Sequence, residues 1–322
     1  MPSVVLTDAD QFPLYEVSMR RLADAGARLI EVPGHDRDEI VAVVNREQAD
    51  AILVYHARID APLLDRIQSL RVIGRCGTGY DKIDVGAARA RGAEVVYVPG
   101  YGSDTVADHT VALILACCRS VASGSAALRA GCWPGYPQLG PLHKLRGRVL
   151  GLVGFGRIAR AVAERAAGFG MVLTAHDPAV NDATIAATGV RPVDFGALLR
   201  GSHVISIHVP LSAATKGLFD QAAFAAMQPG TVLVNTSRGE VVDEDALLRT
   251  LASGGLAAVG LDVFAEEPLP AGHPLRTDPR VVATPHSAAY SEEALEEVGD
   301  RAVADVLRLL AGQQAHNLVP ST

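Results

Sequence analysis

Val149-Leu150-Gly151-Leu152-Val153-Gly154-Phe155-Gly156-Arg157-Ile158-Ala159 decides how this chain folds. An apolar run of strand length meets a glycine-rich turn, and an alanine-rich helical stretch follows, which is the context a dinucleotide-binding turn requires. Gly154 permits the tight turn, Gly156 lets the backbone approach a pyrophosphate, and Ala159 is small enough for helix and strand to pack at the third position. The first N–H groups of the helix then point at the anion. About twenty residues on, Asp177 stands in His176-Asp177-Pro178, where a carboxylate hydrogen-bonds the ribose hydroxyls. It would repel a 2′-phosphate, and no arginine follows closely, so the pattern favours NAD over NADP. A plain turn aspartate before proline is the competing reading.

Outward from that turn, short apolar runs alternate with helical stretches. Upstream, Val4 to Leu6, Arg28 to Val32, Ala51 to Val54, Arg71 to Ile73 and Glu94 to Val98 read as strands, with helical spacing at Tyr15 to Ala25 and Asp38 to Val44. Downstream, strand-like runs recur at Val149 to Val153, Met171 to Ala175, Val204 to Ile207, Val232 to Asn235, Ala258 to Leu261 and Val281 to Ala283. Parallel strands need crossover helices, so the expectation is an α/β fold of two doubly wound parallel-sheet domains around a cleft. One is a flavodoxin-like substrate domain, residues 1–100 and 290–322, and the other a Rossmann NAD domain, residues 101–289. Ser103 to Arg119 and Ser291 to Leu310 are apolar at helical spacing, and Gly131 to Gly140 reads as an extended loop.

Composition narrows the classes. With 322 residues, 49% hydrophobic and 20% charged, the chain can bury two ordinary cores. A net charge of -7 and a pI near 5.8 offer no basic field, so nucleic acid is not an expected partner. The N-terminal residues lack a signal-peptide pattern and no stretch has the length of a membrane span, so the expectation is a cytoplasmic protein with no membrane partner. Cys76, Cys117, Cys118 and Cys132 have no metal-ligand spacing, and no metal is expected.

Three polar residues lie after strand-like runs of the second domain. Reduction of a 2-oxo acid needs a cation for the carboxylate, a proton donor at the carbonyl oxygen and a group that orients the donor. Arg238, in Asn235-Thr236-Ser237-Arg238-Gly239, suits the first because its planar fork pairs with a carboxylate. His286, in Ala283-Thr284-Pro285-His286, suits the second because imidazole titrates near neutrality. Glu267, in Glu266-Glu267-Pro268, suits the third, since a nearby carboxylate favours the imidazolium and fixes the ring. Singly, each also reads as a surface or turn residue; together they point to a nicotinamide-dependent dehydrogenase of 2-hydroxy or 2-oxo acids.

Seven segments in order resemble the D-isomer-specific 2-hydroxyacid dehydrogenase family over nearly the whole chain: Gly74 to Asp81, Val106 to His109, the glycine turn with Asp177, His208 to Leu211, Asn235 to Gly239, Gly260 to Pro268, and Thr284 to His286. The resemblance implies that Arg238 binds the substrate carboxylate, that Glu267 pairs with His286 and that His286 exchanges the proton. It implies further carboxylate donors from the backbone around Gly77, Thr78 and Gly79, on a substrate side that also includes Tyr55, Cys76 and Tyr101. For the cofactor it implies Gly154, Gly156, Arg157 and Ile158 at the pyrophosphate, Val209 and Thr236 along the dinucleotide, and Asp262 at the carboxamide. Thr78, Ser237, Arg238 and His286 complete that set. It also implies a homodimer, with Ser103 to Arg119 as a candidate interface.

Departures from the family pattern bear on the substrate. Members acting on phosphoglycerate carry an arginine near Tyr55-His56; here the nearest is Arg58, so a phosphorylated substrate is not favoured. Tyr101, with Asp104 and Val106, resembles the subgroup of C-terminal-binding-protein corepressors, and Thr78 replaces the lysine of phosphite-oxidising relatives. No regulatory domain is expected after Thr322. The leading expectation is a glyoxylate or hydroxypyruvate reductase-like enzyme; the alternative is an NAD(H)-sensing, partner-binding protein of corepressor type.

Overall fold

Runs of aliphatic and β-branched residues form the strands of the computed structural model, which describes residues 1–140 and 142–320. The backbone separates into two compact units, Met1–Gly102 with the segment from Ser291 onward, and Ser103–Tyr290.

The first unit is built on β1 (Ser3–Leu6), β2 (Arg28–Glu31), β3 (Ala51–Val54), β4 (Val72–Arg75) and β5 (Glu94–Val96). They pair in parallel in the order β2-β1-β3-β4-β5, the flavodoxin-like arrangement. β1 and β3 are buried along their whole length because helices cover both faces. On one face Ile40, Val44, Leu63 and Ile73 pack together, and on the other Phe12, Leu22, Val298, Val303 and Val306. The last three come from the helix Glu292–Leu310, which the Ser291 hydroxyl caps by accepting the Ala294 N–H at 3.1 Å.

The second unit carries β6 (Val149–Val153), β7 (Val172–His176), β8 (Arg191–Pro192), β9 (Val204–Ile207), β10 (Thr231–Asn235), β11 (Leu256–Leu261) and β12 (Val281–Ala283). All are parallel, in the order β12-β11-β10-β9-β6-β7-β8. That is a doubly wound sheet reversing at β6, where dinucleotide-binding sheets open their crevice. Register aligns the strand ends: Val153 pairs with His176 and Ile207, Asn235 with Ile207 and Leu261, and Leu261 with Ala283. Gly154, Asp177, His208, Thr236, Asp262 and Thr284, each one residue past its strand, therefore share the carboxyl edge of one sheet.

Two segments differ from expectation. β8 is a two-residue edge strand ending in proline, too short for periodicity to reveal, and proline is tolerated at an edge. Within Gly131 to Gly140, Tyr136–Leu139 closes a helical turn, because Pro137 suits a first helical turn. The helix Ser103–Cys118 buries Val106, Ala107, Leu113, Ile114 and Cys117 against the sheet and the helix Arg157–Gly168. Burial pushes the Cys117 thiol up to about 12 and the Cys118 thiol up to about 11, so both stay protonated. All four cysteines are free, and only Cys132 is exposed. Among the described residues no single helix is long and apolar enough to cross a membrane.

Candidate active site

The glycine turn is shaped by what crosses it. Gly154 has φ +91°, and a Cβ there would lie 2.8 Å from the His208 carbonyl and 2.9 Å from the Val209 nitrogen. Only glycine lets the backbones after β6 and β9 approach so closely. Gly156 opens instead onto empty space, caps the helix Arg157–Gly168 and offers no side-chain cap. Elsewhere aspartates do that work: Asp194, Asp220 and Asp243 each accept an N–H of the helix they precede. A helix end left open in this way can take a phosphate.

Beside it, Asp177 Oδ2 accepts the Phe155 N–H at 2.7 Å and Oδ1 the Ala179 N–H at 2.8 Å. A carboxylate has about four acceptor sites, so lone pairs remain for ribose hydroxyls. Ala159 is fully buried, while Arg157 is exposed and Ile158 half-buried. The chain thus fits a dinucleotide: an open helix N-terminus, a glycine that excludes side chains, and an acceptor one strand away. His208, next along the edge, is pushed down to about 3 by burial and is neutral, with its Nε2 2.9 Å from the Ser206 hydroxyl. Val209 packs partly against the core.

Arg238 is set by a buried amide. Asn235, last residue of β10, accepts the Ser237 N–H at 2.9 Å and the Ser237 hydroxyl at 2.8 Å through Oδ1, while its Nδ2 donates to the Arg238 carbonyl at 2.8 Å. This Asx turn presents Arg238 at the sheet edge, where Nη1 donates to the Ser237 carbonyl at 2.7 Å. Thr236 is tied to the core helix by a 2.9 Å contact between its hydroxyl and that of Thr110. Gly239 completes the turn: a Cβ there would collide with the backbone of Phe264 and Ala265. The Arg238 turn and the loop carrying Glu267 can touch only because position 239 has no side chain.

His286 Nδ1 lies 3.0 and 2.9 Å from the two oxygens of Glu267. Glu267 Oε1 also accepts the Phe264 N–H at 3.2 Å, which fixes the carboxylate's orientation. His286 has φ +52°, a left-handed conformation that costs a non-glycine residue about 1 to 3 kcal/mol and persists only where surroundings impose it. Asp262 imposes it. Its carbonyl accepts the His286 N–H at 2.8 Å, Oδ1 accepts the Thr284 hydroxyl at 2.7 Å and the Ser287 N–H at 2.8 Å, and Oδ2 accepts the Ala288 N–H at 2.9 Å. Asp262 is 1% exposed, so these donors are what makes its burial tolerable.

In the first unit, the turn after β4 is organised by Arg75. Its Nε donates to the Gly79 carbonyl at 2.7 Å and its Nη1 to the Cys76 carbonyl, while the Gly77 carbonyl accepts the Val98 N–H at 2.9 Å. With the carbonyls so engaged, the Thr78 and Gly79 N–H groups make no hydrogen bond among the described residues. Consecutive N–H groups of this kind form an anion-binding nest. Thr78 Oγ1 donates to the Val98 carbonyl at 3.0 Å. Cys76 is a framework residue, 1% exposed, with its thiol pushed up to about 12 by burial and its N–H on the Val54 carbonyl. Tyr55 is likewise buried, stacked on Phe12 at 4.6 Å, and burial raises its phenol. Tyr101 lies half-buried between Gly100 and Gly102, both at positive φ.

Sequence reasoning passed over Asn235, Arg75 and Thr284 as functional supports. Asn235 had a signal, since Asn closing a strand two residues before Ser is an Asx-turn pattern; Arg75 and Thr284 had none, because their partners are set by folding. Among the described residues no group of three or more His, Cys, Asp or Glu could hold a metal ion.

Residues 111–288 match the family model for the NAD-binding domain of D-isomer specific 2-hydroxyacid dehydrogenases. A D-3-phosphoglycerate dehydrogenase of Mycobacterium leprae is 40% identical over 283 residues, 88% of this chain and 53% of that protein. The chain thus spans about half the length of that curated relative. A hydroxypyruvate reductase of Thermotoga maritima is 36% identical over 279 residues, covering 85% of this chain and 89% of that one. Among solved structures, the TT0316 protein of Thermus thermophilus superimposes with a TM-score of 0.89 at 35% identity, covering 99% of this chain and all of that one.

Proposed function

Because this chain belongs to the D-isomer-specific 2-hydroxyacid dehydrogenase family, we propose that it is an NAD-dependent oxidoreductase interconverting a small 2-oxo acid and its D-2-hydroxy acid. The observation that carries this reading is the His286–Glu267 pair, 2.9 Å apart, on the same sheet edge as Arg238 and the open glycine turn.

In this reading Arg238 takes the substrate carboxylate through its guanidinium fork. The Thr78–Gly79 turn offers N–H donors to a carboxylate as well. Glu267 holds His286 by Nδ1 and fixes the ring, which assigns the exchanged proton to Nε2. In the reducing direction that proton goes to the carbonyl oxygen, and in the oxidising direction His286 takes it back. Bound NADH supplies the hydride that the carbonyl carbon receives. Gly154, Gly156, Arg157, Ile158 and Asp177 hold the pyrophosphate and ribose, with Val209, Thr236, Ser237 and Asp262 further along the edge.

The substrate class is of the glyoxylate or hydroxypyruvate type. Support comes from a hydroxypyruvate reductase among the relatives and from the sequence, which carries no arginine at Tyr55-His56. We further propose a homodimer in the cytoplasm. Support comes from Val121, Leu128, Trp133 and Tyr136, which are 58%, 54%, 90% and 65% exposed, an unusual apolar display that a second copy would cover.

The test is NADH oxidation with glyoxylate, hydroxypyruvate, pyruvate and branched 2-oxo acids. Turnover should fall by ~100-fold or more in His286→Ala, and Arg238→Ala should raise KM as well as lower kcat. NADH binding without turnover of any acid would overturn the reading.

A further inference from the structure

Thr284 stands between two groups that reach it from different elements. Its hydroxyl donates to Asp262 Oδ1 at 2.7 Å, and His109 Nε2 lies 2.9 Å from the same hydroxyl oxygen. A hydroxyl has one proton, and here it goes to the carboxylate. Thr284 must therefore accept from His109, so His109 Nε2 carries a hydrogen. His109 is on the core helix Ser103–Cys118, with its ring also 3.7 Å from Asp262 Oδ1. Asp262 in turn receives the Ser287 and Ala288 N–H groups and, through its carbonyl, that of His286.

We infer that His109 and Thr284 are positioning residues for His286, acting through Asp262. This rests on the reading of His286 as the proton-exchanging group. The logic is geometric: the loop 284–288 follows a three-residue strand and carries a left-handed histidine, so local structure alone does not hold it. Asp262 binds both ends of the loop, but a carboxylate can rotate among several donors. Thr284 fixes Oδ1, and His109 fixes the direction in which Thr284 gives its proton. The chain therefore runs from a rigid core helix, through one hydroxyl and one carboxylate, to the backbone on either side of His286. Glu267 orients the ring from one side, and this relay orients the main chain that carries it.

Thr284→Val keeps the volume and removes the hydroxyl, and Thr284→Ser keeps the hydroxyl. His109→Leu removes the donor, and His109→Gln retains an N–H near the position of Nε2. Steady-state turnover of NADH with the best 2-oxo acid should fall by ~10-fold or more in Thr284→Val and His109→Leu, since a small misplacement of a reacting group is costly. Thr284→Ser and His109→Gln should recover most of it. Solvent deuterium should slow Thr284→Val more than the parent, because proton delivery is the step disturbed. Parent-like kcat and solvent isotope effect in both removing variants would overturn the inference. If His109→Leu does not fold, the comparison of Thr284→Val with Thr284→Ser decides it.

Should the parent reduce no 2-oxo acid, the functional reading fails and the relay is decided separately by amide exchange. Faster exchange of the Ser287 and Ala288 amides in Thr284→Val than in the parent would uphold it, and equal rates would overturn it.

Discussion

Asn235 and Arg75 do comparable work with opposite chemistry. A single buried amide satisfies two donors and one carbonyl and so turns the Arg238 loop, while a guanidinium ties back the Gly79 and Cys76 carbonyls and so leaves N–H groups facing outward. Arg75→Met should raise KM for the 2-oxo acid by ~10-fold, the effect of weakening one charge-assisted carboxylate site, while the NADH dissociation constant stays unchanged. Initial rates and a fluorescence titration check this. His208 makes a prediction of its own. Its folded value, about 3, lies below the ordinary 6.5, so between those values the unfolded chain binds a proton that the folded chain does not. Stability from this group is full above pH 6.5 and is lost as pH falls toward 3. Denaturant midpoints measured from pH 7 to 4 should fall less steeply in His208→Gln than in the parent. Arg238, Glu267 and His286 could be singled out as candidates because each follows a strand and each has the chemistry its proposed role needs. Asn235, Arg75 and Thr284 were not, since an amide, a guanidinium and a hydroxyl take meaning only from the atoms folding brings to them.

The stretch from β6 into the helix Arg157–Gly168 is the element most completely written in local sequence. Strand, turn and helix each have their own pattern, and the positive φ at Gly154 is a requirement that only glycine meets cheaply. Gly154→Ala should destabilise the protein by at least ~1 kcal/mol and abolish NADH binding, because the new methyl meets the His208 and Val209 backbone at 2.8 and 2.9 Å. Urea denaturation and an NADH titration test the two halves of that statement. Elements with weaker local patterns were harder to read. β8 exists because β7 offers it an edge, and the turn Tyr136–Leu139 is too short for periodicity to mark. Gly239 shows the limit from the other side. It reads as an ordinary turn glycine, yet what demands it is the Phe264 backbone, more than twenty residues away.

At the scale of the whole molecule, four strongly exposed apolar side chains, Val121, Leu128, Trp133 and Tyr136, cluster in the chain just after the core helix. Ser103–Cys118 turns its apolar face to its own unit, whereas the helix Val121–Arg129 buries no residue and Trp133 is 90% exposed. Sedimentation of the parent should give a dimer, and the double change Leu128→Glu with Trp133→Glu should shift it toward monomer with its circular dichroism intact. A monomeric parent would remove the proposed partner.

By itself the sequence determined the alternation of strands and helices, the glycine turn after β6 and the residue types of the proposed reaction. Those features depend on neighbours within a few positions, which hydrophobic periodicity and turn chemistry encode directly. Only the tertiary structure decided the strand order, the alignment of strand ends along one edge, and the supports beneath Arg238 and His286. Those depend on contacts such as His109 with Thr284, 175 positions apart, whose partners no local pattern specifies.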